Sequence, residues 1–277
     1  MITGLRTRGY TVVEVLIFLA VTSALFASAI VLISGQQGKA EFEQGVRDFE
    51  SQMIDLANNV SSGYYIKTGD FSCRDDGIGV PDVRSNSPKE QGTNQGCTFV
   101  GTVIQLAPAG KADHFVVYTS VGLQRNSNGT EVSSLSEAEP VLIYPTGLYP
   151  NIPQRSFDYT LASGITITKL FYSNGAGNVN IGGFGFFSTF GSSPNGALLS
   201  GTISTQLIPI AGTGLNNDQQ TFASAADTVA NLAPANPKRL SMCLKSAGSR
   251  QSAILVYGAN NGTLTSKLTF FSSGNCT

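Results

Sequence analysis

The side chains able to do chemistry are few: one histidine, four cysteines and scattered carboxylates, in a chain with Lys+Arg 17 against Asp+Glu 18. Cys73, Cys97, Cys243 and Cys276 include no C-x-x-C pair, the spacing that zinc sites and redox dithiols use. His114 stands beside Asp113 at the start of a strand, and a hydrolytic triad or two-histidine metal site would have to be built around it alone. A solvated histidine at a strand edge is the simpler reading. Asp75, Asp76 and Asp82, near Gly77 and Gly79, offer oxygen ligands to calcium but miss the EF-hand spacing, so they read as a solvated loop. No Walker-type phosphate loop occurs. The expectation is a protein that is not an enzyme and holds no metal or cofactor.

The carboxylate with the most unusual position is Glu14. It heads the run from Val15 to Ile33, VLIFLAVTSALFASAIVLI, and no further charge appears before Lys39. At a rise of about 1.5 Å per residue, such a run spans roughly the 30 Å hydrocarbon core of a bilayer. Arg6 and Arg8 precede it with no acid before Glu14, so the positive-inside rule places the N-terminus in the cytoplasm and the remainder outside. A carboxylate at membrane depth costs about 2.5 to 3.5 kcal/mol, which calls for a charged partner or for snorkelling to the headgroups. A secretory signal peptide cut after Ala27-Ser28-Ala29 would leave Glu14 without purpose and Ile30 to Ile33 as excess length. A plain single-pass anchor accounts for the length alone.

The heptapeptide Arg8-Gly9-Tyr10-Thr11-Val12-Val13-Glu14, followed by the apolar run, resembles the prepilin cleavage and methylation signature of type IV pilins and pseudopilins. Tyr10 and Val12 stand where that family usually has Phe and Leu. The resemblance covers about residues 5 to 60 and implies cleavage between Gly9 and Tyr10 by a membrane-embedded prepilin peptidase, with methylation of the new amine. It also implies that Glu14 pairs with the Tyr10 amine of a neighbouring copy and so sets register during assembly. The implied protein is a structural subunit of a pilus or pseudopilus. It is held in the inner membrane by a single span before assembly, on an assembly platform, into a surface or periplasmic filament. Its large head fits a minor subunit better than a bulk one. Met242-Cys243-Leu244 and the run after Ser252 further resemble the C-terminal strands of H-type minor pseudopilins.

The elements that must position these residues follow from periodicity. Phe42, Val46, Phe49, Met53, Leu56 and Val60 recur at helical spacing while charged residues take other faces, which predicts an amphipathic continuation of the apolar helix. Gly35, Gly38 and Gly45, poor helix formers at about 1 kcal/mol each, read either as a soft joint at the membrane exit or as glycines simply tolerated outside the lipid. The expected organisation is a leader at 1–9, a transmembrane half-helix at 10–34, an amphipathic half-helix at 35–62 and an extracytoplasmic head at 63–277.

Short β-branched runs fill the head: Thr98 to Leu106, Phe115 to Val121, Val141 to Tyr144, Ile165 to Tyr172, Val179 to Phe190, Gly201 to Ile210, Ser252 to Tyr257 and Leu264 to Phe271. Asn261-Gly262 is a hairpin signal, and 219–231 reads as a short helix. Phe184, Phe186, Phe187 and Phe190 read as sheet core with glycines relieving crowding, rather than as an adhesive patch. The predicted fold class is α+β: a long N-terminal helix packed on a mainly antiparallel β-sheet head.

An even cysteine count and outward topology favour disulfides. Of three possible pairings, the sequence-local one joins Cys73 with Cys97 and Cys243 with Cys276, and the second resembles the disulfide-closed C-terminal region of many pilins. From Thr228 onward there is no acid, while Lys238, Arg239, Lys245, Arg250 and Lys267 supply five positive charges. Such a stretch reads either as solubilising surface charge or as a contact for DNA or an anionic envelope polymer, in a chain whose net charge of -1 gives no global attraction to polyanions. A membrane-anchored binding module that never polymerises is the rival class.

Overall fold

The computed structural model describes residues 11–64, 71–75, 81–85, 97–126, 128–143, 156–173, 177–188, 205–228, 239–246, 251–260, 263–272 and 276; the side chains of 31–35, 71–75, 81–85, 156, 259–260 and 263–264 lie outside that description. Helix α1, Val12–Ser61, runs 50 residues without interruption. Its second half buries Phe42, Val46, Phe49, Met53, Leu56 and Val60, the stripe that the periodicity predicts. Ser62 closes it, donating its backbone N–H to Asn58 O.

Strands β1 (Phe71–Asp75) and β2 (Pro81–Ser85) pair as an antiparallel hairpin. They are followed by β3 (Cys97–Leu106), β4 (His114–Leu123), β5 (Val141–Ile143), β6 (Ser156–Thr160), β7 (Thr166–Ser173), β8 (Asn178–Asn180), β9 (Gly183–Ser188) and β10 (Thr205–Pro209). Helix α2 (Gln219–Ala226) precedes β11 (Arg239–Lys245), β12 (Ser252–Asn260) and β13 (Thr263–Phe271). A first sheet runs in the order β10-β9-β3-β4-β5, with β6 also on β4, and a second runs β13-β12-β11-β7-β8. Every named pairing is antiparallel. The architecture is α+β.

One core lies between α1 and both sheets: Phe49 and Met53 from the helix meet Phe115, Phe184 and Phe186 from the first sheet and Leu240, Met242 and Tyr257 from the second. A second core covers the far face of the first sheet, where Phe222, Ala223 and Ala226 of α2 pack over Val103, Val116, Tyr118 and Phe187. Tyr118 donates to Gln105 Oε1 at 2.7 Å, and Gln105 Nε2 donates to Asn217 O at 2.8 Å, tying the segment before α2 to the sheet. Buried polar groups inside a core need such partners.

Several expectations need correction. The pattern predicts one sheet, and the chain builds two larger ones. The run from Val179 to Phe190 is two strands, because Gly182 and Gly183 let the chain cross between sheets: a Cβ on either would collide with the carbonyl oxygen of Gly214 or of Ile104. Strand β6 was not anticipated, β11 was indicated only by the resemblance of Met242-Cys243-Leu244 to C-terminal strands, and Asp75 and Asp82 sit on paired strands rather than in a loop, with Asp76 outside the described residues. Helix α2 ends at Ala226, short of residue 231. Gly45 lies within the unbroken α1, where a Cβ would stand 2.7 Å from Ile165 Cδ1. Glycine at this position lets the helix settle against the Ala162–Gly164 turn. Phe184, Phe186 and Phe187 are core, with Phe190 outside the described residues.

Candidate assembly and interaction surfaces

At the start of α1, Thr11 and Glu14 form a capping box. Glu14 N donates to Thr11 Oγ1 at 3.3 Å, while Glu14 Oε2 accepts from Thr11 N at 3.3 Å and from Thr11 Oγ1 at 3.4 Å. The Thr-x-x-Glu spacing is the sequence signature of that motif and was the signal overlooked in reading Glu14 only as a partner for an amine or a snorkelling acid. The helix N-terminus also favours a negative charge there. Gly9 and Tyr10 lie outside the described residues.

Beyond the cap, Val12–Ile30 has mean hydropathy 2.2 and none of it is buried by the rest of the molecule, which makes it the one described helix long and apolar enough to cross a membrane. Two of its three hydroxyls bond within the helix: Thr22 Oγ1 donates to Phe18 O at 2.9 Å and Ser28 Oγ to Leu25 O at 2.8 Å. Lipid offers no other partner to a hydroxyl.

The C-terminal basic stretch divides. Leu240, Met242 and Leu244 of β11 point into the core, so Arg239 and Lys245 point away from it. Lys267 on β13 pairs with Val256 across β12 and shares that outer face. Lys238 and Arg250 lie outside the described residues. Lys169 on β7 pairs with Cys243 and joins the same face. Nothing in sequence proximity marked it, because β7 and β11 are neighbours only through the sheet.

Cys243 and Cys276 are disulfide-bonded, with Cα atoms 5.9 Å apart, and the bond ties the chain end beyond β13 back to β11. Cys97 is also disulfide-bonded, and the side chain of Cys73, its expected partner, lies outside the description. His114 opens β4 opposite Thr160 of β6. Its Nδ1 lies 2.7 Å from Asp113 Oδ1 and its Nε2 lies 3.4 Å from Thr160 Oγ1. This order matches a hydroxyl, imidazole and carboxylate relay, but Thr160 is exposed on a strand and the contacts join strand ends. The imidazole beside Asp113 holds that carboxyl below its ordinary range. Among the described residues no cluster of three metal-ligating side chains occurs.

One further acid is unusual. Asp227 caps the C-terminus of α2, accepts from Leu142 N at 2.7 Å, and is pushed up to about 7 by burial, with the Leu142 bond acting in the opposite direction.

The chain is thus an α+β protein whose long helix is uncovered and apolar over Val12–Ile30. Comparisons with family models, with curated proteins and with solved structures returned no match.

Proposed function

We propose that the chain is a non-catalytic subunit of a type IV pilus-like or pseudopilus filament, processed between Gly9 and Tyr10 and assembled through α1. The observation that carries the reading is the division of one continuous helix: the first half is wholly uncovered and apolar, while the second half is locked into the head. A rigid apolar rod projecting from a folded domain suits two environments in turn, a bilayer before assembly and a bundle of like helices afterwards. Glu14 at the tip supplies the charge that would choose a register among helices that are otherwise uniformly greasy. In the free chain the capping box holds that carboxylate. In the filament the Tyr10 amine of an adjacent copy takes its place.

Processing and assembly are tested in the native host. Intact mass and N-terminal sequencing are expected to give a methylated start at Tyr10; a start at Met1 would favour the non-polymerising anchor, and one at Ile30 a secreted protein. Glu14→Gln separates the two roles of the side chain, because glutamine still completes a capping box but carries no charge. Membrane insertion is expected to persist while incorporation into sheared filaments drops about tenfold or more, in keeping with the 2.5 to 3.5 kcal/mol at stake for a charge at membrane depth. Normal incorporation would show that the carboxylate only caps.

A further inference from the structure

Two charge patterns of opposite sign lie on different elements of the molecule. The five strands of the second sheet contain four cations, Lys169, Arg239, Lys245 and Lys267, and no acid. Register places all four on the outer face, Lys169 level with Cys243 and Lys267, through Val256, level with Ser241. Arg239 and Lys245 are six residues apart on β11, or about 20 Å, with the other two cations between them along the strand direction. On α1, Glu41, Asp48 and Asp55 are exposed and recur every seventh residue, so they form a row about 21 Å long on one flank. The other flank abuts the second sheet: Phe42 and Arg47 both meet the Phe270 ring, at 6.2 and 5.6 Å. Among the described residues, neither the four cations nor these three acids make an ion pair; Glu41 accepts only from Gln37 Nε2.

We infer that the acidic row on α1 of one copy docks on the basic outer face of the second sheet of the next copy. The two surfaces match in length and sign and are different patches of the same molecule, so the contact is head-to-tail. Such a contact repeats from copy to copy and generates an open assembly unless the rotation closes it into a ring. This deepens the filament reading and rests on it for its setting. Nucleic acid is the poorer occupant, since four cations displace only about four counterions and a chain of net charge -1 gives no long-range attraction.

The test uses the full-length chain in detergent, mixing ¹⁵N-labelled and unlabelled copies before zero-length carbodiimide cross-linking. Mixed-label cross-links are expected between peptides carrying Asp48 or Asp55 and peptides carrying Lys169, Lys245 or Lys267, and their yield is expected to fall as salt rises. A helix variant, Asp48→Lys with Asp55→Lys, and a sheet variant, Lys169→Glu with Lys267→Glu, should each lose about five-fold or more of the yield alone, because exposed pairs carry up to a factor of about five each. Mixing the two variants should restore it, which also shows that both are folded. Cross-links that are absent, same-label only or indifferent to the reversals overturn the inference. So does binding of a fluorescent DNA duplex that the sheet variant abolishes, in a protein without mixed-label cross-links, because that makes the face a polyanion surface. The N-terminus at Tyr10 is read separately, so a failed contact in a processed protein leaves the filament reading standing, and a contact in an unprocessed one leaves only the docking.

Discussion

The two sheets share one helix but meet different surroundings. The first is covered on both faces, by α1 and by α2, and its central strands are apolar almost throughout: every residue of β4 after His114 is buried. The second packs on the shared core through one face; on its other face Ser241, Cys243 and Ser252 are buried at the centre, while β13 alternates, with Leu268 and Phe270 packed inward and Thr265, Lys267 and Thr269 exposed. Polar groups follow the same division. In the first sheet Gln105 and Tyr118 are internal and paired, though Ser120 Oγ is buried without a partner, and the second carries four cations, of which Lys169, Arg239 and Lys267 are exposed and Lys245 is half-buried. The first sheet is apolar on both faces, and the second presents cations along the outer face of β7, β11 and β13.

The sharpest way to break this contrast is to truncate one side chain in the shared core and one on the outer face. Phe186→Ala in the first sheet removes a fully buried ring that lies 5.5 Å from Phe184 and 6.5 Å from Tyr257, and is expected to cost about 3 to 5 kcal/mol. Thr269→Ala on the outer face of the second sheet is expected to stay within about 0.5 kcal/mol. Denaturant unfolding of the full chain in detergent measures both, and comparable losses would mean that the outer face is not free surface. Next in size is the disulfide. Cys243→Ser opens a closure of sequence separation 33, worth about 3 to 4 kcal/mol in the chain-entropy model. Because the bond fastens the chain end to the second sheet, amide exchange is expected to rise first in β11 to β13, whereas equal loosening in β3 and β4 would show that the two sheets melt as one.

Sequence legibility divides along the same line. The α1 stripe was readable because six apolar residues repeat at helical spacing and tertiary packing did not disturb them. The β12 to β13 hairpin was readable from its turn: Asn260 pairs with Thr263, a two-residue connection at the Asn-Gly signal. Strand β6, SFDYT, was missed because its strand character comes from pairing with β4 more than from composition. The crossing at Gly182–Gly183 was missed because it depends on the distant carbonyls of Gly214 and Ile104. Of the basic face, Arg239, Lys245 and Lys267 were found by counting charges along the chain. Lys169 required the β7 to β11 register, which no local pattern reveals.

The smallest effect concerns the far face of the first sheet, where Asp227 links the end of α2 to β5. Its carboxyl, ordinarily at 3.8, is pushed up to about 7 by burial, so the folded chain holds a proton that the unfolded chain releases. Between these values the native state binds more protons than the unfolded one, and stability therefore falls as pH rises, levelling off above the folded value. Going from about pH 6 to about pH 8 should lower the unfolding free energy by about 1.4 kcal/mol for a group titrating near the middle of that interval. Asp227→Asn keeps a side-chain oxygen to accept from Leu142 N but cannot ionise, so its unfolding curve should lose that part of the slope. The second sheet, whose described strands carry no acid, gives no comparable contribution. Unfolding the Asp227→Asn chain at both pH values decides the matter: an unchanged slope would mean that water reaches the carboxylate and that α2 does not seal this face of the sheet.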